Sequence, residues 1–303
     1  MITTKSELVS VVIPTYNHAH FLGRALKSVL DQSYQNWEAI VIDNHSQDNT
    51  DEVVGRFVDP RINLLKIHNN GVIAASRNIG IRAAKGEWIA FLDSDDWWMP
   101  NKLSECIKMS NESVDFLYHD LTVVREKWTI LGMLSLKSRQ LNKPVLVDLL
   151  AGGNVIVNSS VVVRRRLLME IGCIDEDRQM IGCEDYRAWL RIAQLSDNFS
   201  YVPKVLGYYL VHGNGISRKD MSLPMQKATA PFARLLNKEQ LRKHDSRELY
   251  AKARSAYLTE NNYGEIKKYF LFCLRNGSLN IRIRSAVMLI AVLIRQSKAM
   301  INN

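Results

Sequence analysis

Residues 87–96 of this chain read EWIAFLDSDD, a short apolar run that ends in three carboxylates. A run that is apolar at every position is typical of a strand buried on both faces, as in parallel sheets covered by helices. In open parallel sheets, ligands bind beyond the carboxyl ends of the strands. This stretch therefore predicts an α/β fold, with its polar residues at the edge where such a sheet binds ligands.

Similar apolar runs alternate with helical patterns through the first hundred residues. The runs predicted as strands are 8–13, 37–42, 62–67 and 87–92, and the segments predicted as helices are 21–30, 50–58 and 72–84. Strands joined in this way form right-handed crossovers. We predict a parallel sheet with helices on each face.

The rest of the chain predicts completion of the sheet and then a helical region. Between residues 101 and 203 the pattern is mixed, with helices predicted at 102–109 and 185–195 and strands at 114–118 and 155–163. From residue 223 the segments are helical, with turn signals at 261–264 and 276–277. We predict two units, residues 1–217 and residues 218–303.

The net charge of +9 is unevenly distributed along the 303 residues. Up to Ser217 the chain has 23 Lys and Arg against 25 Asp and Glu, whereas from Arg218 onward it has 17 against 6. A basic tail predicts a surface that contacts an anionic partner, either phospholipid head groups or a nucleic acid.

The cysteines and the N-terminus favour the cytoplasm. Four cysteines are scattered singly, without metal-ligand or redox spacing. The first apolar run stops at Pro14, so it lacks the apolar core of a secretory signal. We expect a cytoplasmic protein with reduced thiols.

The carboxylates Asp93, Asp95 and Asp96 are the strongest chemical signal. Carboxylates this close repel one another unless they are exposed to solvent or bridged by a cation such as Mg²⁺ or Mn²⁺. Such a cation keeps positions open for substrate phosphates. The alternative is a solvated acidic turn, or Asp96 as the N-cap of the helix after Pro100.

Two further polar clusters follow predicted strands. Tyr16 comes just after the first strand, where its ring could stack on a base. Asp43 ends the second strand and could accept a hydrogen bond from a base N–H. Asp48 fits better as the cap of the next helix, whose first turn holds Asp51 and Glu52.

The order and spacing of these segments resemble the family 2 glycosyltransferases of the GT-A fold, over roughly residues 7–217. The matching segments are VSVVIPTYN (9–17), the Asp43 loop, NGV (70–72), SRNIG (76–80), AKGEW (84–88), DSDD (93–96), MP (99–100), IG (171–172), DE (175–176), CEDY (183–186), WLR (189–191), residues 208–212 and Ser217.

The resemblance implies a role for each matching position. The expected contacts with the base of a nucleoside diphosphate sugar are Pro14, Tyr16 and Asp43, with Arg77 near the base or phosphates and Asp93 on the ribose. Asp95 and His212 would hold Mn²⁺ or Mg²⁺. The acidic pair of Glu184 and Asp185 would contain the catalytic base, with Asp185 the better candidate.

Three departures from the family pattern affect these expectations. Asn44-His45 stands where the family commonly has Asp-Gly, which bears on the base contacts. Cys183 replaces the usual glycine at the opening of the acidic motif. Leu210 lies two residues before His212, where the family commonly has an arginine that contacts phosphate.

Sugar transfer requires two kinds of group, and the chain has candidates for both. A divalent ion on Asp95 would stabilise the charge of the leaving diphosphate. Asp185, with a pKa raised by its neighbour Glu184, could take the proton of the acceptor hydroxyl. A single attack opposite the leaving group gives inversion, so we predict an inverting transferase that acts on a glycan or lipid-linked acceptor in surface polysaccharide synthesis, with a UDP-sugar preferred as donor.

The C-terminal segment allows two interpretations. Arg282 and Arg284 precede the nine apolar residues 286–294, and Arg295 and Lys298 follow them. Nine residues are fewer than the ~20 that cross a bilayer. The segment could lie in the interface of an anionic membrane at the inner face of the cell, or pack as a buried helix on the preceding hairpin.

Two other functions compete with glycosyl transfer. A sugar nucleotidyltransferase should carry a glycine-rich phosphate loop after the first strand, but no glycine follows Pro14 until Gly23. A nucleic-acid-binding protein could use the basic tail, but zinc spacing, aromatic sheet motifs and a basic recognition helix are all missing from the sequence. We expect no nucleic-acid partner.

Overall fold

The computed structural model describes residues 7–125, 134–213, 221–259 and 262–301. The first half forms a parallel sheet in the order β3-β2-β1-β4. Its strands are β1 (Val9–Thr15), β2 (Trp37–Asp43), β3 (Ile62–Lys66) and β4 (Trp88–Phe91), and its helices are α1 (Ala19–Leu30), α2 (Thr50–Gly55) and α3 (Ile73–Ala83). The predicted α/β fold with a parallel sheet is confirmed.

The second half extends this sheet beyond β4 in the order β8-β6-β9-β5, with β7 beside β6. The added strands are β5 (Trp97–Trp98), β6 (Phe116–Arg125), β7 (Leu134–Leu136), β8 (Val162–Arg164) and β9 (Phe199–Val211). The helices are α4 (Lys102–Lys108), α5 (Val145–Gly152), α6 (Arg165–Glu170) and α7 (Glu184–Leu195). The prediction of a single strand at 155–163 is wrong, because the segment contains a 3₁₀ turn at Asn158–Ser160 before the short β8.

The sheet is buried on both faces. In β4, Ile89 and Phe91 belong to one apolar cluster, whereas Trp88 and Ala90 belong to the cluster on the opposite face. This alternation explains why residues 88–92 are apolar without interruption, because each successive side chain enters one core or the other. The carboxylates begin at Asp93, where the strand leaves both cores.

Glycine 80 lets α3 lie close to the sheet. A β-carbon at Gly80 would lie 2.5 Å from Val12 Cγ1 and 2.8 Å from Ile42 Cδ1, too close for two carbon atoms. Arg77 lies one turn earlier on the same helix. The close approach therefore sets the position from which Arg77 reaches the carboxyl edge of the sheet.

The described residues beyond 221 are helical. They form α8 (Ser222–Thr229), a 3₁₀ turn (Ala230–Leu235), α9 (Lys238–Thr259), α10 (Tyr263–Asn276) and α11 (Leu279–Ile301). Arg247 of α9 donates a hydrogen bond to the carbonyl of Ala151, which joins this helical region to α5. The predicted boundary at Ser217 lies outside the described residues, so the two-unit division stays a prediction. None of the helices in the described segments is both long enough and apolar enough to span a bilayer.

Candidate active site

The residues expected from the sequence to form a site lie at one edge of the sheet. Pro14, Asp43 and Asp93 stand at or just beyond the carboxyl ends of β1, β2 and β4, and His212 follows the end of β9. Glu184 and Asp185 open α7. The parallel strands explain this gathering, since their carboxyl ends share an edge.

Arg77 is the centre of the arrangement. Its guanidinium donates through Nη2 to Asp93 Oδ1 at 2.8 Å and through Nη1 to Glu184 Oε1 at 2.6 Å. The side chain is 4% exposed. Burial alone would lower the pKa of Arg77, but the charges of Asp93 and Glu184 outweigh it and raise the pKa. Arg77 thus links the loop after β4 to the start of α7, and its expected contact with base or phosphates stays a prediction.

Asp93 is held by three other residues. Besides Arg77, the Asn158 amide donates to Asp93 Oδ1 at 2.9 Å, and the backbone N–H of Asp93 donates to Ser159 Oγ at 3.1 Å. The Asp93 side chain keeps a quarter of its surface exposed. It is therefore fixed in orientation and still open to the cleft, as its expected contact with a ribose requires.

The contacts of Asn158 and Ser159 were not identified from the sequence. The only local signal is a group of polar residues, Asn158-Ser159-Ser160, inside an otherwise apolar segment, and all three side chains are buried. Buried polar groups are nearly always hydrogen-bonded. That rule predicts partners for such a group but does not identify Asp93 as one of them.

Asp95 and His212 form a pair that fits a divalent cation. Asp95 Oδ2 lies 2.9 Å from His212 Nε2, and both side chains are mostly buried. Burial, and next the charge of Asp93, raise the pKa of Asp95. A bound cation would offset both effects.

A cation bound by Asp95 and His212 would also take ligands from the substrate and from water. No group of three or more His, Cys, Asp or Glu residues converges in the segments that the structure describes. A carboxylate and an imidazole are both ligands of Mn²⁺-type ions, which complete their shells with phosphate oxygens and water. These residues fit a cation that binds together with a diphosphate.

Asp96 does not serve either alternative role considered for it. It is 1% exposed, so it is not in a solvated turn. The N-cap of α4 is Asn101, so Asp96 does not cap that helix. Asp96 Oδ1 instead accepts a hydrogen bond from the backbone N–H of Leu210 at 2.9 Å, which fixes β9 two residues before His212. Burial, with the charges of Asp95 and Asp93, raises the pKa of Asp96 well above its usual range.

The two residues of the acidic pair at the start of α7 make different contacts. Glu184 is buried, with one oxygen accepting from Arg77 and the other from the backbone N–H of Gly182. Asp185 accepts only a 2.6 Å hydrogen bond from the backbone of Tyr186 among its described contacts, and its side chain is partly exposed. Loss of water around the carboxylate, and next the charge of Glu184, raise the pKa of Asp185 to about 7, against the attraction of Arg77. Asp185 therefore has the properties of a general base near neutral pH.

The expected base-binding end combines one open and two enclosed residues. Tyr16 is 50% exposed, so its ring is available for stacking, whereas Pro14 is buried within β1. The Asp43 carboxylate is enclosed and accepts hydrogen bonds from the backbone N–H and hydroxyl of Ser46. Lys66 Nζ lies 3.8 Å from Asp43 Oδ2. In this structure Asp43 shapes the loop after β2, and its contact with a base stays a prediction.

The departure at Asn44-His45 has a structural counterpart. His45 has a positive φ of 51°, and its ring stacks on His68 with the centroids 3.7 Å apart. Asn44 Oδ1 accepts a hydrogen bond from the backbone of Asn69 at 2.8 Å. The loop after β2 is thus fixed to the loop after β3 by two contacts, of which the His45 ring stack has no counterpart where the family has glycine.

Asp48 lies one residue before Asn49, the N-cap of α2, so the prediction that Asp48 is that cap is wrong, although Asp48 does bind the first turn of the helix. Its Oδ1 accepts from the backbone N–H of Thr50 at 3.2 Å, at the start of α2. Its Oδ2 accepts from the backbone N–H of Ala19 at 2.9 Å, at the start of α1. One carboxylate therefore satisfies donors at two helix N-termini, where negative charge is favourable.

Comparison with known sequences gives a consistent result. The family model described as Glycosyl transferase family 2 matches residues 10–172. The chain is 35% identical over 192 residues to WfgD of Escherichia coli, a UDP-Glc:alpha-D-GlcNAc-diphosphoundecaprenol beta-1,3-glucosyltransferase, covering 63% of this chain and 71% of that protein. It is 32% identical over 212 residues to WfaP of Escherichia coli, which has the same description, covering 70% and 80%.

Solved structures share the fold. TarS of S. aureus in complex with UDP-GlcNAc superposes with a TM-score of 0.66 at 18% identity, covering 90% of this chain and 82% of that one. The mannosyltransferase PcManGT from Pyrobaculum calidifontis, in complex with GDP-Man and Mn²⁺, gives a TM-score of 0.56 at 18% identity, covering 96% and 81%.

Proposed function

Because this chain is a glycosyltransferase of family 2 with the GT-A fold, we propose that it transfers a sugar from a UDP-sugar to a hydroxyl group of a lipid-linked acceptor, with inversion. The names of WfgD and WfaP support both substrates, since each describes a UDP-Glc donor and a diphosphoundecaprenol acceptor. The chain covers more than two thirds of each relative. The product would be part of a surface polysaccharide.

One observation carries this proposal. Arg77 binds Asp93 on one side and Glu184 on the other, at 2.8 and 2.6 Å. Asp93 belongs to the carboxylates expected to hold the donor, and Glu184 is covalently adjacent to Asp185. A single buried guanidinium thus keeps the donor carboxylates and the candidate base on the same cleft, as transfer between two bound substrates requires.

The proposed chemical step uses the acidic pair and the donor carboxylates. Asp185 takes the proton of the acceptor hydroxyl, whose oxygen forms a bond to the anomeric carbon. The bond from that carbon to the diphosphate oxygen breaks, and its electron pair stays with the diphosphate. Because attack and departure occur on opposite faces of the sugar, the configuration inverts.

Asp95 and His212 would hold a divalent cation, Mn²⁺ or Mg²⁺, beside the diphosphate. When bound, such a cation offsets the negative charge of the leaving group. Asp96 contributes by fixing the backbone at Leu210, which orients His212 toward Asp95.

A donor screen tests the proposal. The full chain is incubated with Mn²⁺ and with UDP-, GDP- and dTDP-sugars, and its melting temperature is measured. A ligand at 100 times its Kd adds about 2.7 kcal/mol to stability, so we expect a clear shift with a UDP-sugar. Transfer is then measured to a sugar that is linked through a diphosphate to a short-chain lipid. The anomeric configuration of the product is determined by NMR. A retained configuration, or no shift with any sugar nucleotide, contradicts the proposal.

We also propose that the reaction takes place in the cytoplasm. All four cysteines are buried free thiols, as expected in a reducing compartment.

A further inference from the structure

Helix α11 has two faces of opposite character. On one face Ile281, Ser285 and Val292 are buried. Val292 packs in a small apolar core with Phe270 of α10 and Ala253 of α9. This face confirms in part the interpretation of α11 as a helix that packs on the preceding hairpin.

The opposite face carries a stripe of exposed apolar side chains. Each of these residues has at least half of its side-chain surface exposed, and together we call them the α11 stripe: Leu279, Ile283, Val287, Ile290, Leu293 and Ile294. At 1.5 Å per residue the stripe is ~22 Å long. Contiguous apolar surface of this kind, on a helix that is otherwise well packed, marks an interaction site.

Cationic residues flank the stripe. Arg282 and Arg284 are exposed, and at about 100° per residue they lie roughly 100° to either side of its centre line. Residues 279–301 contain four Lys or Arg and no Asp or Glu. The whole segment from Arg218 has 17 Lys and Arg against 6 Asp and Glu. The surface around the stripe is therefore complementary to a negatively charged partner.

A second copy of the chain fits this surface poorly. Helices that pair through an apolar stripe use opposite charges on the flanks to set the pairing. Residues 279–301 contain no Asp or Glu, so two copies of α11 paired in either direction would have cations on their flanks and no carboxylate to pair with them. Like charges placed across an interface are unfavourable.

We propose that α11 lies in the interface of an anionic phospholipid bilayer, with the α11 stripe among the acyl chains and the flanking arginines among the head groups. An apolar face with cations on its borders is the pattern of helices that lie in this plane. The proposal rests on the proposed function in one respect: a lipid-linked acceptor lies at a membrane surface, so docking there would bring the enzyme to its acceptor. Its physical basis is the exposure and charge of α11 alone.

Vesicle binding tests the proposal directly. The full chain is sedimented with vesicles of phosphatidylglycerol and phosphatidylcholine in equal parts, and with vesicles of phosphatidylcholine alone. We expect binding to the mixed vesicles that weakens as salt rises from about 0.05 to 0.5 M, because salt screens the attraction. Equal binding to both kinds of vesicle, or no binding to either, overturns the proposal.

Point variants distinguish the contribution of the α11 stripe to vesicle binding from that of the rest of the surface. Truncation before Ile281 would remove Val292 from its core, so we prefer the double variant Val287→Glu/Ile290→Glu. It should weaken vesicle binding by about tenfold or more, because two apolar side chains that would insert among the acyl chains are replaced by charges. The matched control is Val58→Glu, which places a charge on a residue that is 97% exposed and lies between α2 and β3, outside the helical region. Arg284→Gln should weaken binding about fivefold, since each cation near an anionic surface contributes about 1 kcal/mol.

Two results of this experiment contradict the proposal. One is equal vesicle binding by the wild type and the double variant. The other is a wild-type dimer in sedimentation velocity that the double variant converts to monomer, which would assign the stripe to a second copy. Binding of the UDP-sugar is measured on the same samples. A wild type that binds vesicles but no sugar nucleotide would refute the proposed function and leave the docking of α11 intact.

Discussion

The carboxyl edge of the sheet and helix α11 handle charge in opposite ways. At the sheet edge, carboxylates and cations are enclosed and paired, as with Arg77 between Asp93 and Glu184. On α11 the charges have one sign and Arg284 stands exposed beside exposed apolar residues. Enclosed pairs fix the positions of atoms, whereas a cationic face with an apolar stripe fits a deformable partner.

The comparison has a consequence for substitutions. Residues of the sheet edge share partners, so the loss of one changes the surroundings of several others, and effects should not add. Residues of the α11 stripe point away from the protein, so their effects on stability should be small and independent. The predictions below test this difference, from the largest expected effect to the smallest.

Loss of Asp95 should have the largest effect. In Asp95→Ala we expect transfer to fall below detection, because the carboxylate that faces His212 Nε2 at 2.9 Å is removed and the diphosphate charge is left uncompensated. Calorimetry should show that Mn²⁺ no longer strengthens UDP-sugar binding. The control is Asp51→Ala, an exposed carboxylate on α2, which should keep full activity. Full activity of Asp95→Ala in the presence of a chelator would exclude the metal.

Asp185→Asn should lower turnover by about 10²–10⁴, the usual contribution of a general base. Donor binding should stay near normal, because the amide keeps the shape of the side chain. Turnover and donor affinity are measured separately under saturating acceptor. Glu184→Gln is the matched variant. If it keeps binding and loses turnover while Asp185→Asn stays active, the roles within the pair are exchanged.

Arg77→Met should reduce the free energy of unfolding by about 3–5 kcal/mol, because it leaves the buried carboxylate of Glu184 and the partly buried carboxylate of Asp93 without their cation. Urea denaturation measures this directly. The double variant Arg77→Met/Glu184→Gln should recover part of the loss, since one uncompensated charge is gone. Additive losses in the double variant would show that the two side chains act independently. That result would contradict the claim that residues of the sheet edge depend on shared partners.

The early strands were predictable because their pattern is local. Residues 88–91 are apolar without interruption, and residues 9–13 and 37–42 are apolar except for Ser10 and Glu38, which are buried and hydrogen-bonded to each other. Burial on both faces accounts for this pattern. The error at 155–163 has a non-local cause. Asn158 and Ser159 leave the strand path to bind Asp93, which is distant in sequence. The two-residue β5 and the long β9 also depend on partners elsewhere in the chain, and neither was predicted.

The site was predictable as a set of residues but not as a network. The spacing and resemblance identified Asp93, Asp95 and His212, and the structure brings them to one edge. The bridge from Arg77 to Glu184 spans 107 positions and has no sequence signature. The enclosure of Asp43 by Ser46 is local, and a Ser three residues after an Asp is too common to predict it.

The pH dependence of turnover should follow Asp185. Only the ionised carboxylate can accept a proton, and burial with the charge of Glu184 raises the pKa of Asp185 to about 7. Turnover should therefore fall about tenfold for each pH unit below 7 and level off above about pH 8. The profile is measured at saturating substrates. Asp185→Asn should lack this acidic limb, and a flat wild-type profile from about pH 5.5 to 8 would exclude Asp185 as the base.

The smallest effect is expected on the α11 stripe. Ile290→Ser should change the free energy of unfolding by no more than about 0.5 kcal/mol, because Ile290 is 59% exposed and surface substitutions rarely cost more. Phe270→Ala, in the core beneath the same helix, should cost about 3–5 kcal/mol, since Phe270 is fully buried. Both are measured by urea denaturation at several protein concentrations. If Ile290→Ser costs as much as Phe270→Ala, and the cost rises with concentration, protein covers the stripe in solution. The contrast between the sheet edge and α11 would then be one between two buried regions, and α11 would be unavailable to a membrane.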